Sequence, residues 1–229
     1  MYMLLLGILL STSMVFAENK EMSHTEYVFT NVYNESLWWT GETYSGYGSN
    51  LHQTQLIRQE IPRIIKKFKI KSMLDIPCGD FNWMRYIILD NIKYIGADVV
   101  PDLIKNNREL YNDSNRSFLT LDIVLDRLPQ CDLILCRDCL VHFPYDLVTK
   151  AITNFKSSGA KYLLTTTFSA SRQNPASHSL GNWHPLNLMG PPFNFPPPIY
   201  ELNENCTEAG GQFSDKTLSL WRLDDLLKN

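Results

Sequence analysis

The most constraining feature of this chain is a regular alternation of short apolar strands and helical segments, in which three successive strands end on aspartate. Ser72–Ile76, Lys93–Ala97, Ser117–Leu121, Cys131–Cys136 and Lys161–Thr167 read as strands, and the first three run into Asp75, Asp98 and Asp122. Helical spacing of apolar residues covers Leu51–Phe68, Phe81–Leu89, Pro101–Leu110 and Pro144–Lys156, with Pro62 as a possible break. Two later runs, Ile199–Leu202 and Thr217–Leu223, read as a closing pair of strands and bring the count to seven. Strands that alternate with helices in this way predict an α/β fold with a mostly parallel sheet and helices on both faces.

In such a sheet a ligand binds beyond the carboxyl ends of the strands. Asp98 follows Asp75 by one βαβ unit, where an acid can accept hydrogen bonds from a ribose diol, and Gly79 permits close backbone approach in the intervening turn. A pyrophosphate needs a G-x-G-x-x-G turn, and Pro77-Cys78-Gly79-Asp80 offers a single glycine beside an acid. That disfavours a nucleotide-dependent oxidoreductase. A net charge of −3 and a pI near 5.9 give no basic stripe for nucleic acid.

Taken together, Leu74-Asp-Ile-Pro-Cys-Gly-Asp80, Tyr94-Ile-Gly-Ala-Asp98, Leu121-Asp122-Ile123 and Asp132–His142 resemble, in order and spacing, the motifs of class I S-adenosylmethionine (SAM)-dependent methyltransferases. The resemblance covers about residues 70–167 and implies a single Rossmann-like doubly wound sheet with SAM as cofactor. It places Asp75, Pro77, Cys78, Gly79, Asp98, Val99, Asp122, Ile123 and Arg137 around the cofactor. The sequence departs from the family pattern at Pro77 and Phe81, which stand where the first and third glycines of the turn are usual. Methyl transfer from a sulfonium is mainly a matter of positioning and desolvation, assisted by a base near the acceptor. Asp138 and His142, at the mouth after the fourth strand, are the expected bases. Arg137 is expected to hold an anionic acceptor or the cofactor carboxylate. The acceptor is left open between a small molecule, a glycan and a protein, and a SAM-fold protein without catalysis is the alternative.

The remaining segments carry further expectations. Residues 1–17 have a leader pattern, with an apolar Met3–Leu10 and a small-x-small Val15-Phe16-Ala17. They predict export to the secretory pathway or cell envelope, with an uncleaved membrane anchor or a buried helix of a cytoplasmic protein as alternatives. Residues 18–229 form the catalytic domain in this reading. Within it, residues 168–198, rich in proline and aromatics, are a lid whose Asn182–Asn187 stretch and Asn194 cover the acceptor. The polar, aromatic stretch to Asn50 reads as loop, and its Gly41–Ser49 part could close over the cofactor's carboxylate end. Five cysteines, an odd number, read as buried thiols rather than a disulfide framework or metal site, the Cys136-x-x-Cys139 pair included.

Overall fold

Seven strands form one sheet in the order β3-β2-β1-β4-β5-β7-β6. They are β1 (Ser72–Asp75), β2 (Lys93–Asp98), β3 (Arg116–Thr120), β4 (Leu133–Cys136), β5 (Tyr162–Phe168), β6 (Tyr200–Asn203) and β7 (Lys216–Arg222) in a computed structural model that describes residues 21–168, 172–175 and 179–226. The leader reading of residues 1–17 lies outside the described residues. Neighbouring strands from β3 to β5 pair in parallel, and β7 runs antiparallel to both β5 and β6. The central β4 is Leu-Ile-Leu-Cys with every residue buried, as a strand covered on both faces requires.

Helices α2 (Gln55–Phe68) and α3 (Pro101–Tyr111) cover one face, and α4 (Tyr145–Ser157) the other. Ile57, Ile61 and Ile64 bury the inner stripe of α2. Pro62 sits inside α2 without splitting it, and Lys69 ends the helix in a left-handed C-cap. Pro101 opens α3 at its first turn, where a missing N–H costs nothing.

Two expectations are corrected. Phe81–Leu89 is not a helix: only a 3-10 turn, Met84–Tyr86, forms there. The cause lies at Phe81, whose φ of 58° is the left-handed conformation of the glycine that is usual at this position. For a side-chain-bearing residue that costs about 1–2 kcal/mol. The ring offsets this cost by burying itself against Phe118, Tyr94 and Tyr111, with centroids at 5.2, 5.4 and 5.1 Å. This aromatic cluster packs where a helix was expected, and it explains Gly96: a Cβ there would meet the Phe118 ring at 2.6 Å.

The second correction concerns the stretch before Asn50, which holds an unpredicted helix, α1 (His24–Asn34). Ser23 caps it, accepting a hydrogen bond from the Glu26 amide at 3.0 Å. The Ser23-x-x-Glu26 pattern is a helix-start signature that the sequence displays openly.

Candidate active site

The strand register brings the carboxyl ends of β1, β2 and β4 to one level, and a cavity opens above them. Its floor is Asp75, Pro77, Cys78, Gly79, Asp98, Val99, Ile123 and Arg137, joined at the mouth by Asp138, Cys139 and His142. Of the predicted site residues only Asp122 falls outside this lining. Asp122 instead accepts the Ser23 hydroxyl at 2.7 Å and the Val124 amide at 2.8 Å, so it pins the start of α1.

The turn after β1 is held by the backbone. The Cys78 amide donates to Ala97 O at 2.8 Å, and the Gly79 amide to Asp98 Oδ2 at 3.2 Å. Gly79 has a φ of 54°, and Ser45 Oγ lies 2.2 Å from where its Cβ would stand. Glycine is therefore required twice over, by conformation and by space.

Two buried carboxyls define the electrostatics. Asp98 is raised to about 6 by burial, against the opposing bonds from the Val100 and Gly79 amides. Burial likewise raises Asp75 to about 7, despite the Tyr94 hydroxyl donating to it at 2.6 Å. Neither has an ion-pair partner among the described residues. Both gain from any ligand that brings hydroxyl donors or positive charge.

Arg137 departs from the role expected of it. Its guanidinium donates to Glu204 Oε2 at 2.7 Å and to Gly48 O at 2.9 Å, and it lies 3.3 Å from Asp138 Oδ2. The guanidinium also lies 5.6 Å from the centroid of the Trp83 ring, so its charge is balanced largely within the protein.

Asp138 is corrected in the same way. Burial alone would raise its carboxyl, but Lys216 at 2.6 Å and Arg137 outweigh it and hold it well below the usual carboxylate range. An acid so stabilised as an anion is a poor proton acceptor. It also sits at a positive φ of 50°, packed against Gly48.

His142 is a neutral imidazole in the wall of the cavity. Burial lowers it to about 4, so it is neutral near pH 7. Its Nδ1 lies 3.3 Å from the Gly181 carbonyl, which can only accept, so the proton resides on Nδ1 and the lone pair on Nε2.

Of the roof of the cavity, sequence reasoning expected the Gly41–Ser49 loop and missed the helix and Trp38. Thr25, Phe29, Val32 and Tyr33 reach it from α1, and Trp38, Tyr44, Ser45 and Ser49 from the following loop. Asp80 ties that loop down, accepting from the Thr43 hydroxyl at 2.9 Å and the Tyr44 amide at 2.8 Å. The expected lid is not the roof: no described residue between 172 and 198 lines the cavity. Leu186, Leu188, Phe193 and Phe195 are buried in the core, and the Trp221 indole donates to Pro196 O at 2.7 Å. Asn187 and Asn194 serve the turns of that segment. All five cysteines are buried and unpaired; Cys78 and Cys139 line the cavity.

No protein-family model matches the sequence, and no protein of curated function does. Solved structures do match. The 1,6-didemethyltoxoflavin-N1-methyltransferase of Burkholderia thailandensis, solved with 1,6-didemethyltoxoflavin and S-adenosylhomocysteine, is 12% identical with a TM-score of 0.56, covering 93% of this chain and 92% of that one. The N-methyltransferase NodS of Bradyrhizobium japonicum WM9 is 14% identical with a TM-score of 0.52, covering 76% of this chain and 98% of that one. At these identities the likeness is one of fold.

Proposed function

From a class I SAM-dependent methyltransferase fold, we propose that this chain is a methyltransferase that binds SAM on the floor of the cavity and transfers its methyl group to an acceptor under the roof. The observation that carries the reading is the pair Asp75 and Asp98, two buried carboxyls at adjacent strand ends without ion-pair partners among the described residues. SAM suits them, because it carries a ribose diol, an ammonium and a sulfonium. Asp98 is placed for the diol and Asp75 for positive charge, while Val99, Leu121 and Ile123 offer apolar surface for a flat ring.

When bound, SAM supplies a methyl carbon already activated by its positive sulfur. The protein's own part is to exclude water, align the acceptor and take its proton. In this reading His142 takes the proton on Nε2, and Asp138, fixed as an anion, stabilises the imidazolium that results. A binding-only protein is the second reading, favoured by the Lys216–Asp138 pair, which removes one of the two expected bases.

Calorimetric titration of the protein with SAM, S-adenosylhomocysteine and NAD tests the proposal. Micromolar binding of both sulfur ligands with no response to NAD is expected; silence from both would overturn it. Cofactor binding without turnover across an acceptor panel would favour the binding-only reading.

A further inference from the structure

We infer that the acceptor is an aryl-substituted alkylamine: a flat ring carrying a nitrogen that is protonated near pH 7, and no carboxylate or phosphate. The inference rests on the methyltransferase reading for the word acceptor, but the selectivity follows from charge and ring contacts alone.

Four carboxylates face the cavity, Asp75, Asp80, Asp98 and Asp138, against one guanidinium, Arg137. The Arg137 charge is committed to Glu204 and Asp138, and Lys216, buried behind the wall, offsets Asp138 further. Asp75, Asp80 and Asp98 have no ion-pair partner among the described residues and accept hydrogen bonds from hydroxyls and backbone amides. SAM brings two positive groups against its own carboxylate, one net positive charge. The cavity therefore remains short of positive charge with the cofactor in place. In a desolvated space that deficit penalises a second anion and rewards a cation.

Asp138 has one more property. Its Oδ2 holds Lys216, while Oδ1 is buried with no hydrogen-bond partner. Asp138 itself lines the cavity, and a fixed anion there suits a cationic or N–H-donating ligand.

The roof supplies the ring contacts. Trp38 lies 4.6 Å from the His142 ring and 5.9 Å from Phe29, and Tyr33 packs 5.2 Å from Tyr44. All five line the cavity. Such a wall favours flat rings by stacking and cations through the ring faces.

The test uses three probes with one ring system and three charges. Full-length protein loaded with S-adenosylhomocysteine is titrated with 1-naphthylmethylamine, 1-naphthalenemethanol and 1-naphthoate. The amine is expected to bind at least ~10-fold tighter than the alcohol, and the carboxylate to give no measurable binding. Asp138→Asn should shrink the amine's advantage over the alcohol several-fold. The ranking in the unmutated protein decides the matter even where the variant does not fold. Carboxylate binding equal to the amine's, alcohol binding equal to it, or no binding by any probe would each overturn the inference. Repeating the titrations without S-adenosylhomocysteine separates the two readings. Failure of the sulfur ligand with the amine ranking intact overturns only the cofactor assignment, and the reverse outcome overturns only the acceptor class.

Discussion

Asp75 and Asp98 stand on strands buried on both sides of the sheet, whereas Phe29, Trp38 and Tyr44 reach the same cavity from a helix and a loop outside it. The floor is positioned by backbone register: β1 pairs with β2 and β4, and the turn amides bond directly to strand groups. The roof is positioned by side chains, chiefly Ser23 to Asp122 and Thr43 to Asp80. Register survives wide sequence change, because the ladder is made of groups that every residue carries. Side-chain ties do not survive it. In the proposed reading the floor holds the cofactor and the roof meets the acceptor.

The largest effect should come from the floor. Asp98→Ala removes the acid proposed for the ribose diol, and SAM affinity measured by calorimetry should fall by more than ~100-fold, in line with leaving donors unpaired in a buried site. Normal binding by that variant would mean the floor is not the cofactor site. His142→Ala should lower kcat by about 10²–10³ on any acceptor that is turned over, with SAM affinity within about twofold. A kcat within a few-fold of the parent would move the base elsewhere.

Acidity offers a test in which floor and mouth respond oppositely. Asp98 and Asp75 sit at about 6 and about 7 when folded, above the ordinary carboxyl value of about 3.9. Between pH ~4 and ~7 the folded protein holds protons that the unfolded chain has released, so these two groups make stability fall as pH rises. His142, lowered to about 4, opposes them from there to its unfolded value of about 6.5, one group against two. The same deprotonation makes the floor negative, so SAM affinity should climb several-fold from pH ~5 to ~7.5 and flatten in Asp75→Asn. A profile that falls with pH would show that the carboxylates do not meet positive charge on the ligand.

The smallest change should come from the roof. Ser23→Ala removes both the cap of α1 and its tie to Asp122, a loss of about 1 kcal/mol and about 2–4 °C in Tm. SAM affinity should stay unchanged while chamber ligands weaken a few-fold. Equal losses of both would show that roof and floor act as one unit.

The same division governed what could be read in advance. The strands, the acids at their ends and the turn after β1 were legible because strand periodicity and strand-end position are local properties. The pairing of Arg137 with Glu204 and of Asp138 with Lys216 was not legible, since those partners lie 67 and 78 residues away along the chain. The segment to Pro198 looks like a cover by composition. In the fold Leu186 and Phe195 fill the core beside β5 and β7, a long-range fit that no local pattern announces. Phe81–Leu89 carries enough apolar residues for a helix, yet the left-handed backbone at Phe81 turns the chain away before one can start.

The Arg137–Glu204 and Asp138–Lys216 pairs also bear on the order in which the molecule is made. Arg137 and Asp138 emerge from the ribosome well before β6 and β7, and until Glu204 and Lys216 arrive their charges have only each other and water. A nascent chain stopped before Glu204 would leave Arg137 without its tightest partner, so the central wall of the pocket cannot close dry. The last two strands thus complete the wall: β7 and the end of β6 bring the two partners that balance the charges placed there by the central strand.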